Sequence, residues 1–465
     1  AYEELFLLQS AILKNGKIIK KAGISHGHPG REWQDFLAAL PFALTQAQVR
    51  VIGEILADME APQVMARLLQ GDVGSGKTVV AAAALYCNYL NGYQGALMAP
   101  TEILARQHYQ SLQSLLEPLS VRIALLTGKV SGKKRGELLA SLEAGEIDII
   151  IGTHALIQEQ VSIPCLGLAI TDEQHRFGVM QRAALSGREG LADVLVMTAT
   201  PIPRTLSLTL YGDLDISIID ELPPGRQPIK TYAVSYDLEV RIFAFLEKEI
   251  KKGRQIFIVC PLVEESEKLD LENAVSLYEN LQKQIFPHRR LGLLHGKMKS
   301  KEKESIMDDF AQGNLDILVS TTVIEVGINI PNATVMLIRE AQRFGLAQLH
   351  QLRGRIGRGG EQSYCILMNN AKGNIARERM RVLCQSNDGF LIAEEDLRLR
   401  GPGDFFGTRQ HGLPELKTAN LFTDAALLEM ARNDVLELME DQDFWQSEEM
   451  RLIHQYLKEK YQLLN

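Results

Sequence analysis

Short, continuous apolar runs alternate with longer stretches of helical periodicity through most of this chain. Between residue 47 and about residue 220 the runs are Ala96–Ala99, Arg122–Leu126, Ile147–Ile151, Leu166–Thr171 and Val194–Met197, with another short one at Val64–Leu69 ahead of them. A second series comes at Gln255–Val259, Arg290–Leu294, Asp316–Ser320, Thr334–Ile338 and Tyr364–Met368. Runs of this kind, separated by helical patterns, predict parallel sheets covered on both faces, hence an α/β protein of two tandem lobes. Pro223-Pro224-Gly225 interrupts the pattern and is the predicted linker. The resulting segments are a helical lead-in at 1–45, a first lobe at 46–222, a second lobe at 223–370, and a C-terminal hairpin and helical extension at 371–465.

The lead-in predicts a helix at Tyr2–Lys14, a loop rich in Gly, His and Pro from Gly16 to Gly30, and a helix from Arg31 to Leu40. His26 and His28 are expected as loop residues and not as ligands. In the extension, Gly401, Gly403 and Gly407 around Pro402 predict a shaped turn, and residues from Ala419 onward predict amphipathic helices with a packing role.

At 465 residues the chain exceeds a single core, and its 46% apolar and 23% charged residues are ordinary for a soluble protein. No apolar run approaches the ~20 residues that span a bilayer, so a cytoplasmic protein without membrane association is expected. Cys87, Cys165, Cys260, Cys365 and Cys384 lack metal-ligand spacing and predict reduced, buried thiols. The net charge of −8 argues mildly against nucleic acid as a partner but leaves room for a local basic track. The chain opens on Ala1 in an apolar helical stretch, so a piece of a longer protein is expected.

The clearest chemical signal is Gly71-Asp72-Val73-Gly74-Ser75-Gly76-Lys77-Thr78, between an apolar run and an alanine-rich helical run. Glycines let the backbone turn its N–H groups inward around an anion, and the helix start after them adds partial positive charge. Lys77 would reach the terminal phosphates of a nucleotide, and the Thr78 hydroxyl would hold Mg²⁺. A glycine-rich turn that binds nothing fits less well, because the pattern is long and its strand, loop and helix context is right. Upstream, Thr45 can cap a helix, Gln48 can pair with both edges of an adenine, and Phe42 can stack on it. A helix cap with solvent-facing glutamines would carry the same letters.

Ligands of parallel sheets collect at the carboxyl ends of strands, so the residues just after each run are informative. Asp172 at such an end can bind Mg²⁺ through water, and Glu173 can polarise an attacking water; a solvated turn is the bland alternative. Arg353, Arg355 and Arg358, three arginines separated by glycines, cannot form a buried face. They are a solvated basic turn, or a finger whose planar forks meet phosphate. Ser320 to Gly327 offers hydroxyls and amides for a sugar-phosphate chain. Lys133-Lys134-Arg135 and Lys297 to Lys303 are basic runs whose charge could meet phosphates. Each charge run taken alone is as readily a solvated face.

In order, the Gly-Lys-Thr loop, Asp-Glu-Gln-His at 172–175, Thr-Ala-Thr at 198–200 and the Gln-Leu-Arg-Gly-Arg-Ile-Gly-Arg run ending at Arg358 resemble superfamily 2 helicases. The strings at 71–78, 172–179 and 343–355 are similar to RecG-type branched-DNA translocases, and Leu399 to Gln410 resembles the translocation motif these share with the transcription-repair coupling factor. Asp-Glu-Gln-His and Ser75 favour the RecG type over the coupling factor. The resemblance covers about residues 30 to 415.

It implies two RecA-like lobes with Lys77, Thr78, Asp172 and Glu173 binding and hydrolysing MgATP and Gln48 reading the base. Gly327 joins the nucleotide set, and Arg355 and Arg358 complete the site from the second lobe. His175, Thr198 and Thr200 would couple hydrolysis to DNA, Arg409 would feel the cleft from the translocation segment, and the loops at Pro100–Thr101, Lys129–Arg135, Thr153–His154, His295–Lys299 and Thr321–Thr322 would form the DNA track. It further implies a DNA helicase of recombination and repair acting on branched and duplex DNA. A monomer near the bacterial nucleoid is expected, with single-stranded-DNA-binding protein as a partner. Family members carry an amino-terminal wedge domain that is not recognisable here, so the motor portion is expected. Asn329 stands where the family commonly has Asp.

Other readings predict different features. A transport or signalling ATPase would need a signature motif or a base-specificity motif; a non-hydrolysing scaffold would show no DNA-stimulated turnover. An RNA helicase shares the lobes but is disfavoured by Asp-Glu-Gln-His and the 399–410 segment.

Overall fold

The computed structural model describes residues 1–16, 22–158, 160–172, 192–199, 214–223, 227–261, 267–321, 330–370, 373–406, 418–419, 424–440, 447 and 451. Helices α1 (Tyr2–Gly16) and α2 (Glu32–Ala39) precede the first lobe. That lobe runs α3 (Gln46–Glu60), β1 (Ala66–Gly71), α4 (Lys77–Leu90), β2 (Gln94–Met98), α5 (Glu102–Leu116), β3 (Ile123–Leu126), α6 (Gly132–Glu143), β4 (Ile149–Gly152), β5 (Leu166–Asp172), β6 (Asp193–Thr198) and β7 (Asp215–Ile219). Its sheet is parallel, in the order β3-β4-β2-β5-β6-β1-β7. From Val79 to Asn88 every residue of α4 is buried, which explains its run of alanines: a helix enclosed on all sides is apolar all round.

The second lobe runs β8 (Lys230–Val234), α7 (Glu239–Lys251), β9 (Gln255–Val259), α8 (Glu267–Asn280), β10 (Leu291–Leu294), α9 (Ser300–Ala311), β11 (Ile317–Ser320), β12 (Ala333–Ile338), α10 (Leu346–Arg353) and β13 (Tyr364–Met368). The parallel order is β10-β11-β9-β12-β13-β8. Two strands escaped the apolar pattern, β7 and β8. Both lie at sheet edges, where one side of the strand stays open and no continuous apolar run is needed.

The two lobes repeat the same bracing. In the first, Gln94 Nε2 donates to the carbonyls of Leu142 and Ile147, each at 2.9 Å. In the second, Gln255 Nε2 donates to those of Phe310 and Leu315, at 2.5 and 2.8 Å. Arg122 forks onto Asp148 and caps Gly145 O at 2.9 Å; Arg290 forks onto Asp316 and caps Gly313 O at 2.9 Å. Each brace ties the helix before a strand to that strand's entry.

Beyond the second lobe lie α11 (Asn374–Gln385), α12 (Gly389–Phe406) and α13 (Ala425–Glu440). The shaped turn expected around Pro402 is corrected as far as Phe406: those residues continue α12. The helix starts where Asp388 Oδ1 accepts the Phe390 and Leu391 amides, and it docks on α10 and α11. The helix runs on through Pro402, a residue that donates no helical hydrogen bond. The lead-in and the tail also join. Leu5 and Leu8 of α1 pack with Leu428 and Ala431 of α13, and Glu4 accepts the Thr418 and Ala419 amides at 2.8 and 2.9 Å.

His26 is a loop residue but a buried one, with ring nitrogens 3.2 Å from Met59 O and 3.1 Å from Asn88 Oδ1. None of the five cysteines forms a disulfide. Cys87, Cys260 and Cys365 are buried, and burial pushes the Cys87 and Cys365 thiols up to about 12; Cys165 and Cys384 are exposed, against expectation, because they lie where the local packing stops short of covering them.

Replacing Gln94 or Gln255 with Leu leaves one buried carbonyl, that of Ile147 or Leu315, without its donor, while Leu142 O and Phe310 O keep the amides of Gly145 and Gly313. At about 1–3 kcal/mol for an orphaned group, a loss of that size is expected in urea unfolding. Hydrogen exchange should localise the loss to the lobe that carries the change.

Candidate active site between the two lobes

The phosphate loop joins β1 to α4. Gly74 and Gly76 adopt φ of 79° and 88°, which side-chain-bearing residues rarely reach. A Cβ on Gly71 would fall 2.5 Å from Ser75 Oγ, and one on Gly76 would fall 2.2 Å from Gln48 Nε2. Lys77 Nζ donates to the carbonyls of Gly71 and Asp72, at 2.8 and 2.9 Å. Ser75 Oγ is buried and makes no hydrogen bond among the described residues, so a donor remains inside the loop. This cradle fits a phosphate chain, with Thr78 in the first turn of α4 available to a metal ion.

Gln48 lies beneath the loop. Its Nε2 donates to Ser75 O at 2.8 Å, while its Oε1 accepts the Thr45 amide at 2.9 Å in a capping box. Both ends of the amide are thus engaged by backbone, and the residue is buried. Phe42, before this helix, is 49% exposed.

Asp172 ends β5, one strand from β6 and two from β1 in the sheet. Its Oδ2 lies 2.7 Å from His108 Nε2 on α5. Burial, the largest influence, pushes this carboxyl up. The His108 hydrogen bond and the positive charges of His108, Lys77 and Arg355 outweigh it and hold the group below the usual carboxylate range. Lys77 belongs to the first lobe and Arg355 to the second, so charge from both sides meets at this carboxylate.

The second lobe reaches the loop through α10. His350 Nε2 lies 2.7 Å from Asp72 Oδ1. One turn on, Gly354 abuts Val73 so closely that a Cβ would fall 2.7 Å from Val73 Cβ. Arg358 Nε donates to Gly354 O at 3.4 Å. The reading that none of the three arginines could be buried is corrected for Arg353, which is 2% exposed. Its guanidinium donates to Leu383 O at 2.7 Å, Ser386 O at 2.8 Å and Thr231 Oγ1 at 3.3 Å, and approaches His350 Nδ1 at 2.9 Å. A guanidinium so fully satisfied can be buried.

The residues expected on a DNA track sit at or just beyond the carboxyl ends of strands. Thr101 caps α5 after β2, accepting the Leu104 amide at 3.3 Å. Thr153 comes after β4 and is buried, with exposed His154 beside it. Thr198 ends β6 and Thr321 comes after β11; both are buried. Lys129, after β3, pairs with Glu304 on α9 and lies 3.9 Å from Glu102, so this loop also bridges the lobes. Burial, then the charges of Lys303 and Lys297, hold His295 below the usual imidazole range. Glu173, His175, Thr200, Thr322, Gly327, Asn329 and Arg409 lie outside the described residues.

Sequence reasoning missed His108, a lone histidine on an otherwise apolar helix face. It also passed over His350, although that residue stands inside the motif read for its arginines.

Residues 45–209 match the DEAD/DEAH box helicase family, 241–360 the helicase conserved C-terminal domain, and 386–463 the C-terminal part of domain 3 of ATP-dependent DNA helicase RecG. The ATP-dependent DNA helicase RecG of Bacillus subtilis strain 168 is 54% identical over 98% of this chain and 67% of its own length. The chain belongs to the RecG family. The Thermotoga maritima RecG is 52% identical over 94% of this chain and 56% of its own. A solved structure of RecG bound to a three-way DNA junction superposes with a TM-score of 0.78 at 48% identity, covering 92% of this chain and 56% of that one. The chain therefore spans between about half and two thirds of these RecG proteins. Two parallel-sheet lobes succeeded by helices agree with that structure. No helix among the described residues is long and apolar enough to cross a membrane.

The close approach of Gly354 to Val73 predicts that Gly354→Val holds the lobes apart. Steady-state ATP turnover should fall on the order of 10²-fold, the cost of about 1 Å of misplacement, while the thermal midpoint changes little.

Proposed function

We propose that this chain is an ATP-driven motor that moves on duplex DNA and remodels branched DNA, such as stalled forks and four-way junctions, in recombination and repair. The observation that carries the reading is the docking of α10 on the phosphate loop, with His350 Nε2 2.7 Å from Asp72 Oδ1 and Gly354 against Val73, while charge from Lys77 and Arg355 acts on the buried carboxylate of Asp172. Such a site binds a nucleotide at a seam, so its occupancy changes how the lobes sit.

Lys77 and the loop amides would hold the phosphates, Thr78 and Asp172 would hold Mg²⁺, and Glu173 would orient the attacking water. The metal would offset charge on the phosphates. Arg355 and Arg358 would answer the charge that builds on the phosphoryl group from the second lobe. His108 keeps Asp172 ionised and aimed. Thr101, Thr153, His154, Thr321 and Thr322 would track the DNA backbone, with His175, Thr198, Thr200 and Arg409 coupling that track to turnover. Domain limits of 46–222 and 223–370 for the lobes, a monomeric state, a nucleoid-associated cytoplasmic location and a single-stranded-DNA-binding partner belong to the same proposal.

The test is ATP turnover with linear duplex, single-stranded and forked DNA side by side. Turnover should rise with DNA, and DNA binding should weaken with salt because its contacts are to phosphates. Lys77→Ala should lower turnover on the order of 10²–10³-fold with DNA binding retained. Turnover indifferent to DNA would remove the motor reading, and undiminished turnover in the variant would remove the phosphate-loop assignment.

A further inference from the structure

We infer that His350 is a positioning residue for ATP hydrolysis, docking the arginine-bearing end of α10 onto the phosphate loop through Asp72. The inference rests on the proposed ATPase function and adds a residue that the nucleotide motifs do not assign.

The tautomer is fixed by the partners. A guanidinium only donates, and Arg353 Nη2 lies 2.9 Å from His350 Nδ1, so Nδ1 accepts. The proton of the neutral ring is then on Nε2, which donates to Asp72 Oδ1 at 2.7 Å. Arg353 is itself tied to Leu383 O and Ser386 O, so the imidazole cannot rotate without breaking a buried charge-assisted bond. Asp72 is a matching acceptor. The same Oδ1 also accepts the Val73 amide at 2.6 Å, so the carboxylate is held between its own loop and α10.

Asp72 carries two loads. Its carboxylate receives His350, and its carbonyl receives Lys77 Nζ at 2.9 Å. A shift of α10 is therefore transmitted to the residue on which the phosphate-binding lysine rests. Along the same segment of the second lobe, His350 addresses Asp72, Gly354 addresses Val73, and the charge of Arg355 reaches Asp172. The polar contact fixes the register, the glycine permits the approach, and the arginine arrives at the carboxylate. A brace that merely holds the lobes together would need no such alignment.

The experiment measures kcat and KM for ATP with saturating duplex DNA, alongside the thermal midpoint, for the unmodified chain, His350→Ala, His350→Gln, Asp72→Ala and the Asp72→Ala/His350→Ala pair. Expected for His350→Ala is a fall in kcat of roughly 10–100-fold with KM little changed, together with a modest drop in the midpoint from the lost buried bond to Arg353. His350→Gln, whose amide can donate in place of Nε2–H, should recover most of that loss. The double variant should be no slower than the slower single one. An unchanged kcat in His350→Ala, failure of the Gln variant to recover activity, or multiplicative losses in the double variant would each overturn the inference. Absence of turnover in the unmodified chain would instead overturn the proposed ATPase itself.

Discussion

A carboxylate buried at the end of a central strand is costly unless positive charge and hydrogen bonds meet it, and Asp172 is met from three directions. His108 reaches it from α5 through a hydrogen bond, and the charges of Lys77 in the phosphate loop and Arg355 in the other lobe act on it. Because part of that compensation crosses the seam, the electrostatics of the first lobe are incomplete without the second. A nucleotide motor needs this property: the chemistry at one lobe is sensitive to where its neighbour stands.

The lobes can serve as rigid bodies because each is braced in the same way. A buried glutamine on an inner strand satisfies two loop carbonyls, and an arginine–aspartate fork closes the turn before a second strand. The recurrence of both devices supports two copies of one architecture, of which only the first carries a phosphate loop. Freed of nucleotide binding, the second copy turns its α10 edge to the first. Arg353 anchors this arrangement by tying α10 to the end of α11, from which the chain passes into α12.

Among the described residues, the lobes meet through polar or close-fitting contacts: His350 with Asp72, Gly354 with Val73, and Lys129 with Glu304. A seam of this character can open and close at modest cost, unlike a broad apolar interface. The basic loops lie at the same strand ends, which places phosphate-binding charge and the interlobe contact of Lys129 side by side.

The amino-acid sequence by itself determined the two parallel sheets, since runs buried on both faces must be continuously apolar, and it determined the phosphate loop, since its glycines and lysine obey local backbone geometry. It did not reveal the edge strands β7 and β8, which lack such runs, or the helical course of residues 401–406, whose glycines and proline read locally as a turn. Only the tertiary structure decided that Gln48 braces the loop, that Arg353 is core while the charge of Arg355 acts on Asp172, and that His108 and His350 lie within hydrogen-bond reach of Asp172 and Asp72. The physical reason is that hydrogen-bond partners far apart in the chain, such as Asp72 and His350, leave no mark in local periodicity or spacing.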